Sequence, residues 1–151
     1  MNEKTLNARA LVAARKFGAL ATHSARHAGF PFASVVEYGL DDDGQPIFLL
    51  SGLAIHSKNL AANSKASLLV FAPDTEQDTL GSARVTLMGE VHPIAAEEVS
   101  AIRQAYLERH PGAVQWVEFG DFRFYRLHVA DVYYVGGFGA MGWVSQADYR
   151  G

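Results

Sequence analysis

Phe32-Ala33-Ser34-Val35-Val36-Glu37-Tyr38, then Asp41-Asp42-Asp43-Gly44-Gln45-Pro46, then Ile47-Phe48-Leu49-Leu50-Ser51: two apolar runs flank a polar link made of turn-forming residues. The first run is rich in β-branched and aromatic side chains, which suit a pleated, half-buried surface and read as a strand. Asp-Gly and the following Pro read as a turn, so 47–51 is expected to pair back on 32–38 as a hairpin. Three adjacent acids would also suit a hard cation. Ordinary turn chemistry explains them more simply, as a solvated hairpin tip.

The same alternation continues downstream. Residues 57–62 read as a short helix closed by Asn63, 66–71 as a strand, and 72–82 as a polar loop. Residues 84–91 (RVTLMGEV) form a long strand with Gly89 as its bulge. A helix is expected over 93–109, with Pro93 near its start, Glu97 and Glu98 in its early turns, and Val99, Ile102, Ala105 and Tyr106 on one face. A short helix over 113–118 and strands at 122–128 and 132–135 follow, before a Gly-rich C-terminal loop at 136–151. Upstream, 19–23 is a short strand. Residues 3–17 read as a helix whose stripe is Leu6, Ala10, Val12, Ala13 and Phe17, stopped by Gly18. Six or seven short strands with few helices predict a mainly β fold with helical decoration, in one domain over 1–151.

Composition narrows the function. A chain of 151 residues with 49% hydrophobic and 19% charged residues buries one core and is not disordered. The formal net charge of −3, with the basic residues scattered, argues against a nucleic-acid surface. Cysteine is absent, which removes disulfides, thiolate nucleophiles and Cys-based metal sites and fits a reducing cytoplasm. Charges at Glu3, Lys4, Arg9, Arg15 and Lys16 interrupt any secretory core, and no apolar run is long enough for a membrane helix. The expectation is a soluble, cytoplasmic protein. No G-x-S-x-G elbow and no H-E-x-x-H zinc motif occurs. His23, His27, His92, His110 and His128 read as structural or surface histidines.

Two sets of residues carry a family resemblance. The first is Pro31–Val36, Phe48–Ser51, His56-Ser57-Lys58-Asn59-Leu60, Asn63 and Ser67–Val70. The second is Arg84–Glu90, Tyr125-Arg126-Leu127 and Val135-Gly136-Gly137-Phe138-Gly139. In that order and spacing the chain resembles the FMN-binding split barrels of the pyridoxamine-phosphate-oxidase-like superfamily, nearest the haem-utilisation branch. The resemblance implies a split β-barrel, an FMN cofactor, a homodimer with its sites between subunits, and electron or hydride transfer to a small-molecule substrate. It further implies that Lys58 contacts the flavin phosphate with Ser51 and Ser57 adding hydroxyls, and that Arg84 is a second cation. Ser34 and Val36 would border the isoalloxazine ring, and Trp143 would be an aromatic wall beside it.

Independent chemistry supports part of this. A phosphate needs a cation and donors close together, and Ser57-Lys58 open a short helix whose free N–H groups favour an anion. The Arg-x-His pair that holds substrate in pyridoxamine-phosphate oxidation is missing from the tail Ala147-Asp148-Tyr149-Arg150-Gly151. The second reading, a haem-binding or haem-degrading protein, needs an axial ligand, usually His. The loop Gly139-Ala140-Met141-Gly142-Trp143 offers none. A third reading keeps the fold as a non-catalytic flavin-binding module.

Overall fold

Antiparallel pairing organises the chain into one curled sheet, described for all 151 residues by a computed structural model. The strands are β1 (Phe17–His23), β2 (Pro31–Glu37), β3 (Gly39–Leu40), β4 (Pro46–Ser51), β5 (Lys65–Phe71), β6 (Arg84–Pro93), β7 (Phe122–Val135) and β8 (Met141–Ser145). Their order across the sheet is β2-β1-β5-β6-β7-β4-β3, with β8 also paired to β7. The helices are α1 (Glu3–Ala14), α2 (Ile55–Ala62), α3 (Val99–Arg109) and α4 (Gln146–Arg150). The mainly β expectation holds.

The expected hairpin does not form as read. Only Gly39 and Leu40 pair back, on Ile47 and Pro46, while the rest of β4 pairs with β7 from Ile47↔Arg126 to Ser51↔Phe122. The run 32–38 pairs with β1 instead. The reason lies in burial: 46–50 is buried on both faces, as a strand must be when it has a barrel interior on one side and a helix on the other. Phe48 and Leu50 face the main core with Leu20, Leu68, Leu87, Leu127 and Val132. Ile47 and Leu49 face a second cluster with Ile102 and Tyr106 of α3 and Phe124.

The acidic turn is less solvated than expected. Asp41 accepts from the N–H groups of Asp43 and Gln45 at 2.9 and 2.8 Å, and pairs with Arg126 at 2.8 Å. Its side chain is only 10% exposed. Asp43 pairs with Arg150 at 2.6 Å, which ties α4 to the turn.

Strand β7 is one strand of 14 residues, not two. From Tyr125 to Val135 it pairs with β6; on the other side Phe122–Arg126 pairs with β4 and Asp131–Val135 with β8. The apparent break is a bulge: Met88 faces Asp131 and Gly89 faces Val129, leaving Ala130 extra. A Cβ on Gly89 would lie 2.0 Å from the His128 carbonyl oxygen, so only glycine fits. The tail after Gly136 is also more ordered than expected, forming β8 and then α4, which Ser145 caps by accepting from Asp148 N–H at 3.1 Å.

The terminal helix ends earlier than expected, at Ala14, and Gly18 lies inside β1. There it lets β5 approach; a Cβ would sit 2.5 Å from the Leu69 carbonyl oxygen. The buried face of α1 is Thr5, Ala8 and Val12, whereas Leu6 is 53% exposed. Small side chains let the helix close on the sheet, and Arg109 donates to the carbonyl oxygens of Ala13 and Arg15 at its C-terminal end. Pro93 ends β6 rather than opening α3; a short 3-10 turn at Ala96–Glu98 intervenes. Likewise 111–115 is a 3-10 turn.

Candidate functional site

The sheet order leaves β2 and β4 unbonded to each other, and the split between them is a groove of about 360 Å³. Val35, Val36 and Glu37 form one wall, and Leu49, Leu50 and Ser51 the other. Ala54 and His56 from the start of α2 lie at one end, with Tyr106, Trp116 and Phe122 closing the far side. The lining is mostly apolar and aromatic, with few polar groups, the usual make-up of a small-molecule site. Burial pushes the Tyr106 phenol up, so it stays neutral.

Helix α2 is pinned to the β4 wall of this groove and to the end of β1. Ser57 donates to the Ser51 carbonyl at 2.6 Å. Asn59 donates to Thr22 Oγ1 at 3.0 Å and accepts from Ala25 N–H at 2.9 Å. His56 sits in its first turn, half-buried, with Nδ1 3.3 Å from Ser34 Oγ. Burial lowers its pKa, so the imidazole is neutral at pH 7.

Of the residues expected at a flavin site, Ser34, Val36, Ser51 and Ser57 gather around this groove. Lys58 follows on α2 and is exposed. Both serine hydroxyls near Lys58 are already engaged as donors, Ser57 to the Ser51 carbonyl and Ser51 to Asp121 Oδ2 at 2.7 Å. Arg84 is elsewhere, beside Phe71 at the end of β5 remote from the α2 corner. Its guanidinium donates to the carbonyls of Thr79, Leu80 and Ser82 at 3.3–3.4 Å and so organises the 72–82 loop. Trp143 lies on β8, edge-on to Tyr133 at 4.9 Å. Glu37 and Asp121 put carboxylates at the groove where phosphate donors were expected. A complete phosphate cradle is therefore not assembled within one chain.

His56, within His56-Ser57-Lys58-Asn59-Leu60, has no role among the residues expected from the sequence. Its signal was there: a histidine in the first turn of a helix that directly follows a buried strand.

The outer face of the sheet carries the other exposed feature. Register aligns Val35, Ala19, Leu69, Thr86, Tyr133 and Trp143 in one row across six strands. Val35 is 73% and Trp143 58% exposed. At strand spacings of about 4.8 Å the row spans about 24 Å, and Met88, Phe17 and Met141 extend the exposed apolar surface. Toward the bulge the face sinks into a depression of about 480 Å³ bordered by Ala21, Ser67 and Met88, with His23, Lys65 and Glu90 at its rim.

Over residues 1–151 the chain matches the CREG β-barrel family. It belongs to that family. The chloroplastic haem oxygenase HOZ of Arabidopsis thaliana is 44% identical over 120 residues, covering 80% of this chain and 36% of the plant protein. A haem-binding protein from Mycobacterium smegmatis superposes with a TM-score of 0.91 at 36% identity, over 99% of this chain and 61% of its own. This family member thus spans only part of either relative. A pyridoxinephosphate-oxidase-family protein from Clostridium acetobutylicum shares the fold alone, with a TM-score of 0.74 at 13% identity over 99% of each chain. The split-barrel architecture expected from the sequence is that of its neighbours, among them haem-binding proteins. No helix of the chain is long and apolar enough to cross a membrane.

Proposed function

We propose that this CREG-family barrel binds haem, as a haem-utilisation protein, in the split groove of a homodimer. The observation that carries the reading is the groove itself: apolar and aromatic walls, a neutral imidazole, and no assembled phosphate cradle. A flat, largely apolar macrocycle suits those walls, while Glu37 and Asp121 disfavour a phosphate and a propionate alike within the groove. The likeness to the mycobacterial haem-binding protein and to HOZ supports the same ligand. Haem, when bound, supplies an iron that can take up oxygen or electrons; the chain supplies orientation, a dry wall and an electrostatic setting. Lys58, exposed on the pinned helix, suits a propionate as well as it suits a phosphate.

The groove is open and at the small end of ligand pockets, so a tetrapyrrole lying in it leaves one face uncovered. The row from Val35 to Trp143 begins at the groove wall and is apolar or aromatic except at Thr86. A second copy laid on that face covers both, with the same patch serving each protomer as two-fold symmetry requires.

A flavin reading has one observation in its favour, the exposed Lys58 next to Ser57 on the helix that borders the groove. Titration separates the two. Ferric haem added to the purified protein is expected to give a saturable Soret shift at one haem per protomer, while FMN keeps its free fluorescence. Saturable quenching of FMN with no Soret shift would replace haem by flavin.

A further inference from the structure

We propose that His56 is the axial ligand of the haem iron, binding through Nε2 and oriented by Ser34. The inference rests on the haem reading above and adds the residue that holds the metal.

Elimination among the six histidines leads there. His110 is buried near the groove, but its ring is fully used: Nδ1 is 3.0 Å from Glu37 Oε2 and Nε2 is 2.7 Å from the Tyr38 carbonyl oxygen. His92 and His128 face each other on β6 and β7, with ring centres 5.7 Å apart, and His92 also meets Glu90 at 3.3 Å. His23 closes β1 at the outer depression, and His27 lies in the turn against Phe30. Only His56 lines the groove with a ring nitrogen not engaged by the protein.

Its setting matches what iron asks of an imidazole. A ligating histidine donates its other N–H to a fixed acceptor, which sets the tautomer and the ring plane. With Nδ1–H donating to Ser34 Oγ at 3.3 Å, the Nε2 lone pair is left free. The anchors of Ser57 on Ser51 and of Asn59 on Thr22 fix the helix turn that carries the ring. The tail loop Gly139–Trp143 contains no histidine to compete for this role.

The test is resonance Raman and optical titration of the ferrous and ferric haem complex, not turnover. Wild type is expected to show an iron–histidine stretch. His56→Ala and His56→Gln are expected to lose it, to bind haem at least about 100-fold more weakly, and to regain the wild-type Soret position with added imidazole. Ser34→Ala is expected to shift the stretch and weaken binding about tenfold, the size of a typical outer-sphere loss. Circular dichroism of both His56 variants checks that the fold is intact. A wild-type stretch and affinity in folded His56→Ala would overturn the assignment while leaving haem binding standing. Absence of any Soret shift in wild type would overturn both.

Discussion

Phe48→Ala is expected to lower the free energy of unfolding by about 3–5 kcal/mol, the range for removing a fully buried aromatic ring. Phe48 has no exposed surface and sits in the main core beside Leu50, Leu127 and Val129. Its neighbours Ile47 and Leu49 point the other way, into the α3 cluster. β4 is therefore the seam between the two cores, and no side of it can relax into solvent to fill the void. Against a total stability of about 5–15 kcal/mol, the loss is a large share. Denaturant unfolding at a fixed protein concentration measures it as a lower midpoint at unchanged slope. A loss under about 1 kcal/mol would mean that β4 is not packed on both faces.

Leu69→Asp is expected to turn the proposed homodimer into a folded monomer. Leu69 stands in the middle of the outer row, between Ala19 and Thr86, and is 37% exposed in the single chain. Its side chain points away from the barrel interior filled by Leu68 and Val70, so the charge stays in water in the monomer and the fold survives. In the dimer the carboxylate is buried without a partner, at a cost of about 3–5 kcal/mol. With tenfold per 1.4 kcal/mol, that is a dissociation constant raised by about 100- to 4,000-fold. Light scattering coupled to size exclusion reads the mass. An unchanged dimer in Leu69→Asp would move the interface to another face.

Much of the fold was legible because local chemistry and tertiary context agree there. β5, β6, and α2 closed by Asn63 all follow from alternation and turn residues, whereas the bulge expected at Gly89 has its extra residue across the ladder, at Ala130 of β7. Readings failed where the deciding contact is remote in sequence. Nothing within 32–51 reveals that β4 prefers β7, more than seventy residues on, to β2. The stripe of α1 was misread because large apolar side chains look like a core face, whereas close approach to the sheet selects Thr5, Ala8 and Val12. The bulge at Ala130 split β7 on paper although its pairing with β6 continues on both sides of it. Within the site, Ser34, Val36, Ser51 and Ser57 were legible as a group. The carboxylate of Asp121 that engages Ser51 was not, since it arrives from the segment before β7. Arg84 reads as a ligand cation in sequence and as a loop organiser in three dimensions, because only the fold places three carbonyls around it.

Sedimentation equilibrium of the haem-loaded protein, followed at the Soret wavelength, tests the whole account in one measurement. The prediction is that haem absorbance sediments as a single species of twice the 16.4 kDa chain mass. Haem absorbance that stays with free ligand, or that travels with a 16.4 kDa monomer, would contradict it.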